Sequence, residues 1–306
     1  MIILSIKTVT KLLIMILIGY IGARKDILTP ERTDHVTKLL TEITLPCMLM
    51  SLGFTSYSSD KAATIGYVFL LSTIAQFFCM ILAALVIRKK DNPEWALERG
   101  TSYTLNAGFV GGAIITSMLG SEALFYSAGV ILSSNIFIWV IVLWTMSGDM
   151  SKEGLIHALT SKTMICLFIG LILFFVPFEL PTPITSAIDT IGGTSGPLAL
   201  VIAGTGLYGL DLKELLKKKN AYISFFIKLL ICPLCLIPLF KLFPQEEYVM
   251  LATLICCGTS CPAIIPVFAL RYGHDHKYAS AILAVGLVLC MLSLPLTVAI
   301  FEAALF

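Results

Sequence analysis

Two clusters of glycine and proline interrupt long apolar stretches of this chain, and they are the residues best placed to do chemistry. Gly108, Gly111 and Gly112 fall within LNAGFVGGAI, and Pro262 and Pro266 fall within CCGTSCPAIIP. Glycine costs about 1 kcal/mol and proline about 3 kcal/mol inside a helix, so a continuous helix is least favourable at these two places. Where a helix restarts, its first N–H groups carry partial positive charge and can bind a carboxylate. The clusters therefore predict paired helix breaks that form one anion site.

Polar residues beside the two clusters are candidates to complete that site. Asn106 precedes the first cluster, and Thr259 and Ser260 lie in the second. Each could donate a hydrogen bond to a bound carboxylate, or instead cap a broken helix end. Lys228, inside an apolar stretch, could neutralise an anion or extend to the membrane interface. Glu42 is read either as a proton-coupling carboxylate or as an interfacial residue.

Four prolines are candidate helix-break or hinge positions, because proline removes a backbone donor and clashes with the preceding turn. They are Pro46, Pro197, Pro262 and Pro266. The His-Asp-His sequence at 274–276 offers too few ligands for a zinc site, so no metal and no cofactor are predicted.

Composition identifies the elements that must position these residues. Of 306 residues, 58% are hydrophobic and 13% are charged, about half the roughly 25% of a soluble domain. A net charge of +2 does not suggest a nucleic-acid partner. Apolar runs long enough to cross a bilayer occur ten times. They lie at 2–23, 38–57, 62–87, 98–118, 122–147, 162–178, 184–210, 220–243, 246–270 and 277–304.

The distribution of lysine and arginine predicts the orientation in the membrane. The odd-numbered loops contain 16 of these residues and the even-numbered loops contain 2. Short cytoplasmic loops are enriched in Lys and Arg, so the odd loops are expected in the cytoplasm and both termini outside. Lys7 and Lys11 are assigned to the N-terminal segment, which could also be read as a signal peptide. We expect a multi-pass protein of the plasma membrane.

Similar residues recur at a nearly constant spacing along the chain. The offsets are 150 to 153 residues in three places. The matched positions are Gly112 with Pro262, Pro46 with Pro197, and Gly120 with Gly273. Two copies of an odd number of helices must insert in opposite orientations.

The repeat predicts how the chain is divided. Residues 1–148 are expected to form a first five-helix repeat, 149–161 a cytoplasmic linker, and 162–306 the second, inverted repeat. The expected fold is an all-α polytopic membrane protein with ten transmembrane helices, of which the fourth and ninth are broken and cross.

The sequence resembles the auxin efflux carrier family. The run LNAGFVGGAIITSMLGSEALFYSAGVILSSNIFIW is similar to that family's fourth and fifth helices, and CPAIIPVFALRYGHDHKYASAILAVGLVLCMLSLPLTVAIF to its last two. Asn106, Gly108 and Gly111 match the first motif and Pro262 the second, whereas Ala113 stands where the family usually has proline. The resemblance implies substrate binding at the helix crossing. Because no long central loop is present, the chain is similar to the compact bacterial members that carry malate, malonate or related acids.

These observations predict a function. No GxSxG, HExxH, P-loop or GxGxxG motif is present, so the protein is not expected to be an enzyme. The leading hypothesis is a secondary transporter of small organic anions such as malate, malonate or auxin-like acids, working by alternating access. A channel or a substrate sensor on the same scaffold is the alternative. The coupling ion stays open between H⁺ and Na⁺, and the oligomeric state between a monomer and a homodimer.

Overall fold

A computed structural model describes most of the chain. The described residues are 2–54, 57–90, 92–147, 152, 156, 160, 162–176, 180–208, 215, 217–262 and 264–305. Within these ranges the regular structure is helical throughout, without a β-strand. The all-α prediction is therefore confirmed. Most of the predicted linker 149–161 lies outside the described residues.

We number the α-helices in chain order. They are α1 (Ile2–Arg24), α2 (Pro30–Leu39), α3 (Leu45–Ser51), α4 (Ser59–Val86), α5 (Trp95–Tyr103), α6 (Gly112–Leu119), α7 (Ser121–Ile136), α8 (Leu143–Ser147), α9 (Lys162–Phe175), α10 (Thr182–Gly193), α11 (Ser195–Thr205), α12 (Lys219–Phe226), α13 (Cys232–Leu234), α14 (Leu236–Leu242), α15 (Glu247–Cys257), α16 (Ile264–Arg271) and α17 (His276–Leu305). Short π-helical segments join several of them, at Leu40–Thr44, Ala107–Gly111, Phe137–Val142 and Ile227–Ile231.

Five helical stretches among the described residues are long and apolar enough to cross a membrane. They cover Ser59–Val86, Ala123–Ser147, Thr182–Thr205, Lys219–Leu242 and His276–Leu305, and two shorter apolar helices cover Ile165–Phe175 and Glu247–Cys257. These helices support a polytopic membrane protein. The count of ten spans stays a prediction.

The exposed face of α4 shows what surrounds the protein. Leu70, Phe78, Ile81 and Leu85 are exposed along this helix, and Leu85 reaches 72%. Soluble proteins rarely expose so continuous an apolar face, whereas the lipid tails of a bilayer accept it. The opposite face of α4 packs against α7.

Helices α1 and α11 approach each other at a pair of glycines. A β-carbon at Gly19 would overlap the carbonyl oxygen of Val201, and one at Gly204 would overlap the carbonyl oxygen of Ile16. Small residues that allow such backbone contact drive helix association in membranes, where water does not force helices together. Helix α3 packs against both α9 and α10.

Two glycines end the segments that follow the interrupted helices. Gly120 has a φ of 87° and Gly273 a φ of 76°, a backbone conformation that other residues adopt at a cost. Gly120 separates α6 from α7, and Gly273 lies between α16 and α17. The two sharp turns occupy matched positions in the sequence repeat.

Candidate functional site

The first interruption lies between α5 and the π-helical segment that begins at Ala107. Thr104 closes α5 with an extended backbone, and its N–H still donates to the carbonyl of Gly100 at 3.3 Å. Leu105 is held from the side, because its N–H donates to Ser134 Oγ at 3.2 Å while that hydroxyl donates back to its carbonyl at 2.9 Å. The helix then restarts, and the first N–H groups of the new segment have no preceding turn to donate to.

The second interruption follows α15. This helix ends at Cys257, and α16 begins at Ile264. The Thr259 hydroxyl donates to the carbonyl of Cys256 at 2.7 Å, which caps the end of α15. Thr259, Ser260 and Cys261 are all buried. A buried segment without helical hydrogen bonds must satisfy its polar groups elsewhere.

Asn106 satisfies them by joining the two interruptions. Its backbone N–H donates to the carbonyl of Ser260 at 3.0 Å and to Thr259 Oγ1 at 3.1 Å. Its side-chain Nδ2 donates to the carbonyl of Cys261 at 3.3 Å. Because a carbonyl only accepts, this last contact fixes the amide nitrogen on the side of Cys261. The two broken helices thus meet through one residue.

Glycine allows the broken helices to come this close. A β-carbon on Gly111 would lie 3.1 Å from Cys256 Sγ and 3.5 Å from the methyl of Thr259. Gly112 faces Met48, whose terminal methyl would lie 3.5 Å from such a β-carbon. Gly108 is less crowded, since its nearest neighbour is the Leu45 side chain at 3.7 Å. Of these three glycines, Gly111 therefore lies closest to the second interruption.

A cavity of about 80 Å³ opens beside this meeting point. Asn106, Gly108, Ser134, Asn135 and Pro262 line it together with apolar side chains. We call it the Asn106 cavity. The cavity combines the backbone at a helix start with hydroxyl and amide groups. This combination suits a small polar ligand bound among otherwise apolar side chains.

Lys228 lies on the π-helical segment after α12 and is buried, with 2% of its surface exposed. Its Nζ donates to the carbonyl of Cys257 at 2.9 Å. A cation at the C-terminal end of a helix interacts favourably with the free carbonyls there. The structure therefore places Lys228 at the end of α15 and not at the interface. Its contact with a substrate stays a prediction.

The four candidate hinge prolines lie in different settings. Pro46 follows the π-helical segment Leu40–Thr44, and Pro197 lies in the first turn of α11. Pro262 is in the second interruption, while Pro266 is in the first turn of α16. Proline is tolerated in a first turn because the N–H groups there have no helical partner.

Glu42 lies apart from the two interruptions. It is in the segment Leu40–Thr44, 47% of its side chain is exposed, and it forms an ion pair with Lys162. This position matches the interfacial interpretation more closely than the proton-coupling one, which no contact described here supports.

Sequence reasoning missed a buried carboxylate, Glu98. It is 2% exposed, and Asn92 and Asn220 donate to its Oε2 at 2.7 and 2.8 Å. Tyr278 donates to its Oε1 at 2.9 Å. Each of these side-chain partners is a neutral donor. Glu98 thus connects α5 to α12 and α17, helices from distant parts of the chain.

Sequence reasoning placed Lys11 in the first span, 2–23, but did not foresee a cavity beside it. Lys11 lies in the middle of α1, a helix of 23 residues. It borders a second cavity, of about 280 Å³, between α1, α3, α6, α10 and α11. We call this the Lys11 cavity. Gly112 and Ala113, directly after the first interruption, line it as well.

Comparison with known proteins gives this architecture a family. A family described as membrane transport protein matches residues 4–157 and again residues 146–298. A protein of Methanothermobacter thermautotrophicus, named as an uncharacterized transporter, is 24% identical over 307 residues, covering 95% of this chain and 97% of its own. The family is one of transporters and not of enzymes. The predicted resemblance is confirmed, and the chain belongs to this membrane transport family, that of the auxin efflux carriers.

Proposed function

We propose that this protein is a secondary transporter that moves small organic anions, such as malate or malonate, across the plasma membrane by alternating access. The observation that carries the proposal is the contact of two interrupted helices through Asn106. Interrupted membrane helices are where transporters bind anions, because the restarting helix offers unpaired N–H groups and positive partial charge. Asn106, Thr259 and Ser260 then orient the guest, and Gly108, Gly111 and Gly112 bring backbone close to it.

The proposed architecture is ten spans in two inverted repeats, residues 1–148 and 162–306. The double match of the family supports it. So does a recurring contact: Tyr126 and Tyr248 share a hydrogen bond of 3.3 Å, and Tyr278 and Glu98 share one of 2.9 Å. Tyr278 lies 152 residues after Tyr126, and Tyr248 lies 150 residues after Glu98. These offsets match those of the sequence repeat, so each contact joins the first half to the second, and the repeat relates one contact to the other.

The proposed orientation puts the odd-numbered loops in the cytoplasm and both termini outside. The two halves then present their interrupted helices from opposite sides of the membrane. A rocking movement of one bundle against the other would expose the site to each side in turn. An H⁺ or Na⁺ gradient supplies the driving force in this scheme.

The size of the Asn106 cavity favours compact substrates. About 80 Å³ is about half of the roughly 150 Å³ cavity that holds one benzene ring in another protein. An acid of a few carbon atoms fits this space with little enlargement, whereas an indole-containing acid requires the walls to move. We therefore place malate and malonate ahead of auxin-like acids.

Uptake into proteoliposomes tests the proposal directly. Radiolabelled malate, malonate and indole-acetate are offered with and without an inward H⁺ or Na⁺ gradient, and we expect saturable uptake and counter-exchange of one of the first two. Asn106→Ala and Pro262→Ala should reduce the rate at least tenfold while insertion is retained, and Gln245→Ala on an exposed loop should not. Flux without saturation or exchange would indicate a channel. Binding without any flux would indicate a sensor.

A further inference from the structure

We propose that Lys11 and Asp189 make the Lys11 cavity a selective site for monoanionic carboxylates that also carry a hydroxyl or a protonated carboxyl group. The site is distinct from the Asn106 cavity and borders α6, the helix that follows the first interruption. The inference rests on the proposed function, and it identifies which acids the transporter accepts and which cation holds their carboxylate.

The depth of Lys11 is the first argument. It is nine residues after the start of α1, about 14 Å along the helix at 1.5 Å per residue. Asp189 lies seven residues into the apolar stretch Thr182–Thr205, about 10 Å from its start. Ionisable side chains at such depth are costly in a membrane and are retained mainly where they face a cavity. Both residues line the same cavity.

Four polar side chains of this cavity are unused, which is the second argument. Within the described part of the chain, Lys11, Thr116, Ser117 and Asp189 make no hydrogen bond or ion pair. Lys228 and Glu98, by contrast, make hydrogen bonds to protein partners. Four uncommitted polar side chains around about 280 Å³ provide a binding site for a polar guest larger than water.

The third argument is the connection between this cavity and the broken helix. Gly112 and Ala113 line it at one end, and Thr116 and Ser117 line it one turn further along α6. Gly111, the residue before Gly112, touches the second interruption. A guest bound to Lys11 therefore lies beside the helix that restarts at the meeting point.

Charge decides the class of guest. The ammonium of Lys11 attracts a carboxylate, and the carboxylate of Asp189 repels a second negative charge in the same space. Asp189 instead accepts a hydrogen bond, so the guest gains by presenting a hydroxyl or a protonated carboxyl. A hydroxy acid such as lactate, or singly protonated malate, satisfies both residues, whereas propionate and fully ionised succinate leave one of them unmatched.

The test compares lactate with propionate, which differ by one hydroxyl, and singly protonated malate with fully ionised malate by varying the pH, in proteoliposomes. Lys11→Gln should raise the KM for lactate and malate about tenfold or more, because a charge-assisted hydrogen bond is lost. Lys7→Gln is the matched control, since Lys7 is also exposed on α1 one turn away but does not line the cavity. Asp189→Ala should remove the preference for lactate over propionate.

Binding separates this inference from the proposed function. In detergent, lactate or malate should raise the melting temperature of wild type and of Lys7→Gln but not of Lys11→Gln. Binding of this kind without uptake would contradict the transporter proposal and support the site. An unchanged KM in Lys11→Gln would overturn the site, as would an equal preference for propionate and lactate in wild type. If neither uptake nor stabilisation occurs with any of these acids, both fail.

Discussion

Asn106 shows how much of the site depends on the chemistry of single side chains. Its amide nitrogen faces the carbonyl of Cys261, and its backbone N–H is shared between Thr259 and Ser260. Aspartate has nearly the same shape as asparagine but carries an acceptor where Asn106 has this donor. Its carboxylate would therefore face the carbonyl of Cys261. The contact between the interruptions therefore needs an amide and not simply a polar residue.

Asn106→Asp should consequently damage the protein more than Asn106→Ala. The aspartate places a buried negative charge against a carbonyl, which costs at least the roughly 1–3 kcal/mol of an unsatisfied buried polar group. It also repels an anionic guest. Melting curves in detergent should rank the three proteins wild type, Ala, Asp in falling order. An Asp variant as stable as wild type would contradict the assigned direction of the amide.

Glu98 links three helices by accepting hydrogen bonds from neutral donors, so its removal should lower the stability of the protein. Glu98→Ala leaves the side chains of Asn92, Asn220 and Tyr278 without their acceptor, at about 1–3 kcal/mol for each donor that water cannot reach. We expect a clear fall in melting temperature, with Glu98→Gln intermediate because it keeps one acceptor oxygen. Glu31→Ala, on an exposed turn of α2, is the control and should melt as wild type does.

At the scale of elements, the pairing of α1 with α11 depends on glycine. Gly19→Val would drive a branched side chain into the backbone of Val201, so the helices must separate and lose their dispersion contacts. Overpacking of this kind costs typically about 1–3 kcal/mol. Gly66→Val is the matched control, because no atom lies within 4 Å of a β-carbon at Gly66 on α4. Equal melting temperatures for the two variants would contradict the close approach.

The interruptions were accessible to sequence reasoning and the helix contacts were not. Helix cost is a local property, so the clusters around Gly111 and Pro262 mark where α5 and α15 end without any knowledge of their neighbours. The shared cavity of Lys11 and Asp189 is different, since predicting it requires knowing that α1 and α10 lie around one space. The role of Glu98 likewise cannot be predicted locally, because its donors Asn220 and Tyr278 lie more than a hundred residues later in the chain.

At the scale of the whole molecule, the proposed topology, which rests on the charge asymmetry of the loops, predicts which side of the membrane the Lys11 cavity faces. The Lys11 cavity is lined by α6 residues between Gly112 and Ser117, and the proposed topology puts the end of this helix outside the cell. The Glu98 contacts lie at the start of α5, next to a lysine-rich loop that the same topology puts in the cytoplasm. Acids would then enter the Lys11 cavity from outside, and the Glu98 contacts would close the cytoplasmic side.

Cysteine labelling in intact cells decides this orientation. Lys90→Cys and Gln245→Cys place single thiols on exposed loops at opposite predicted sides, and both native residues are exposed. A membrane-impermeant maleimide should label Gln245→Cys in intact cells and Lys90→Cys only after the membrane is opened. Wild type provides the background, because six of its nine cysteines are buried and the other three are only partly accessible. The reverse pattern would invert the topology and turn the Lys11 cavity toward the cytoplasm. Labelling of both thiols from outside would mean that the number of spans between the two positions is even.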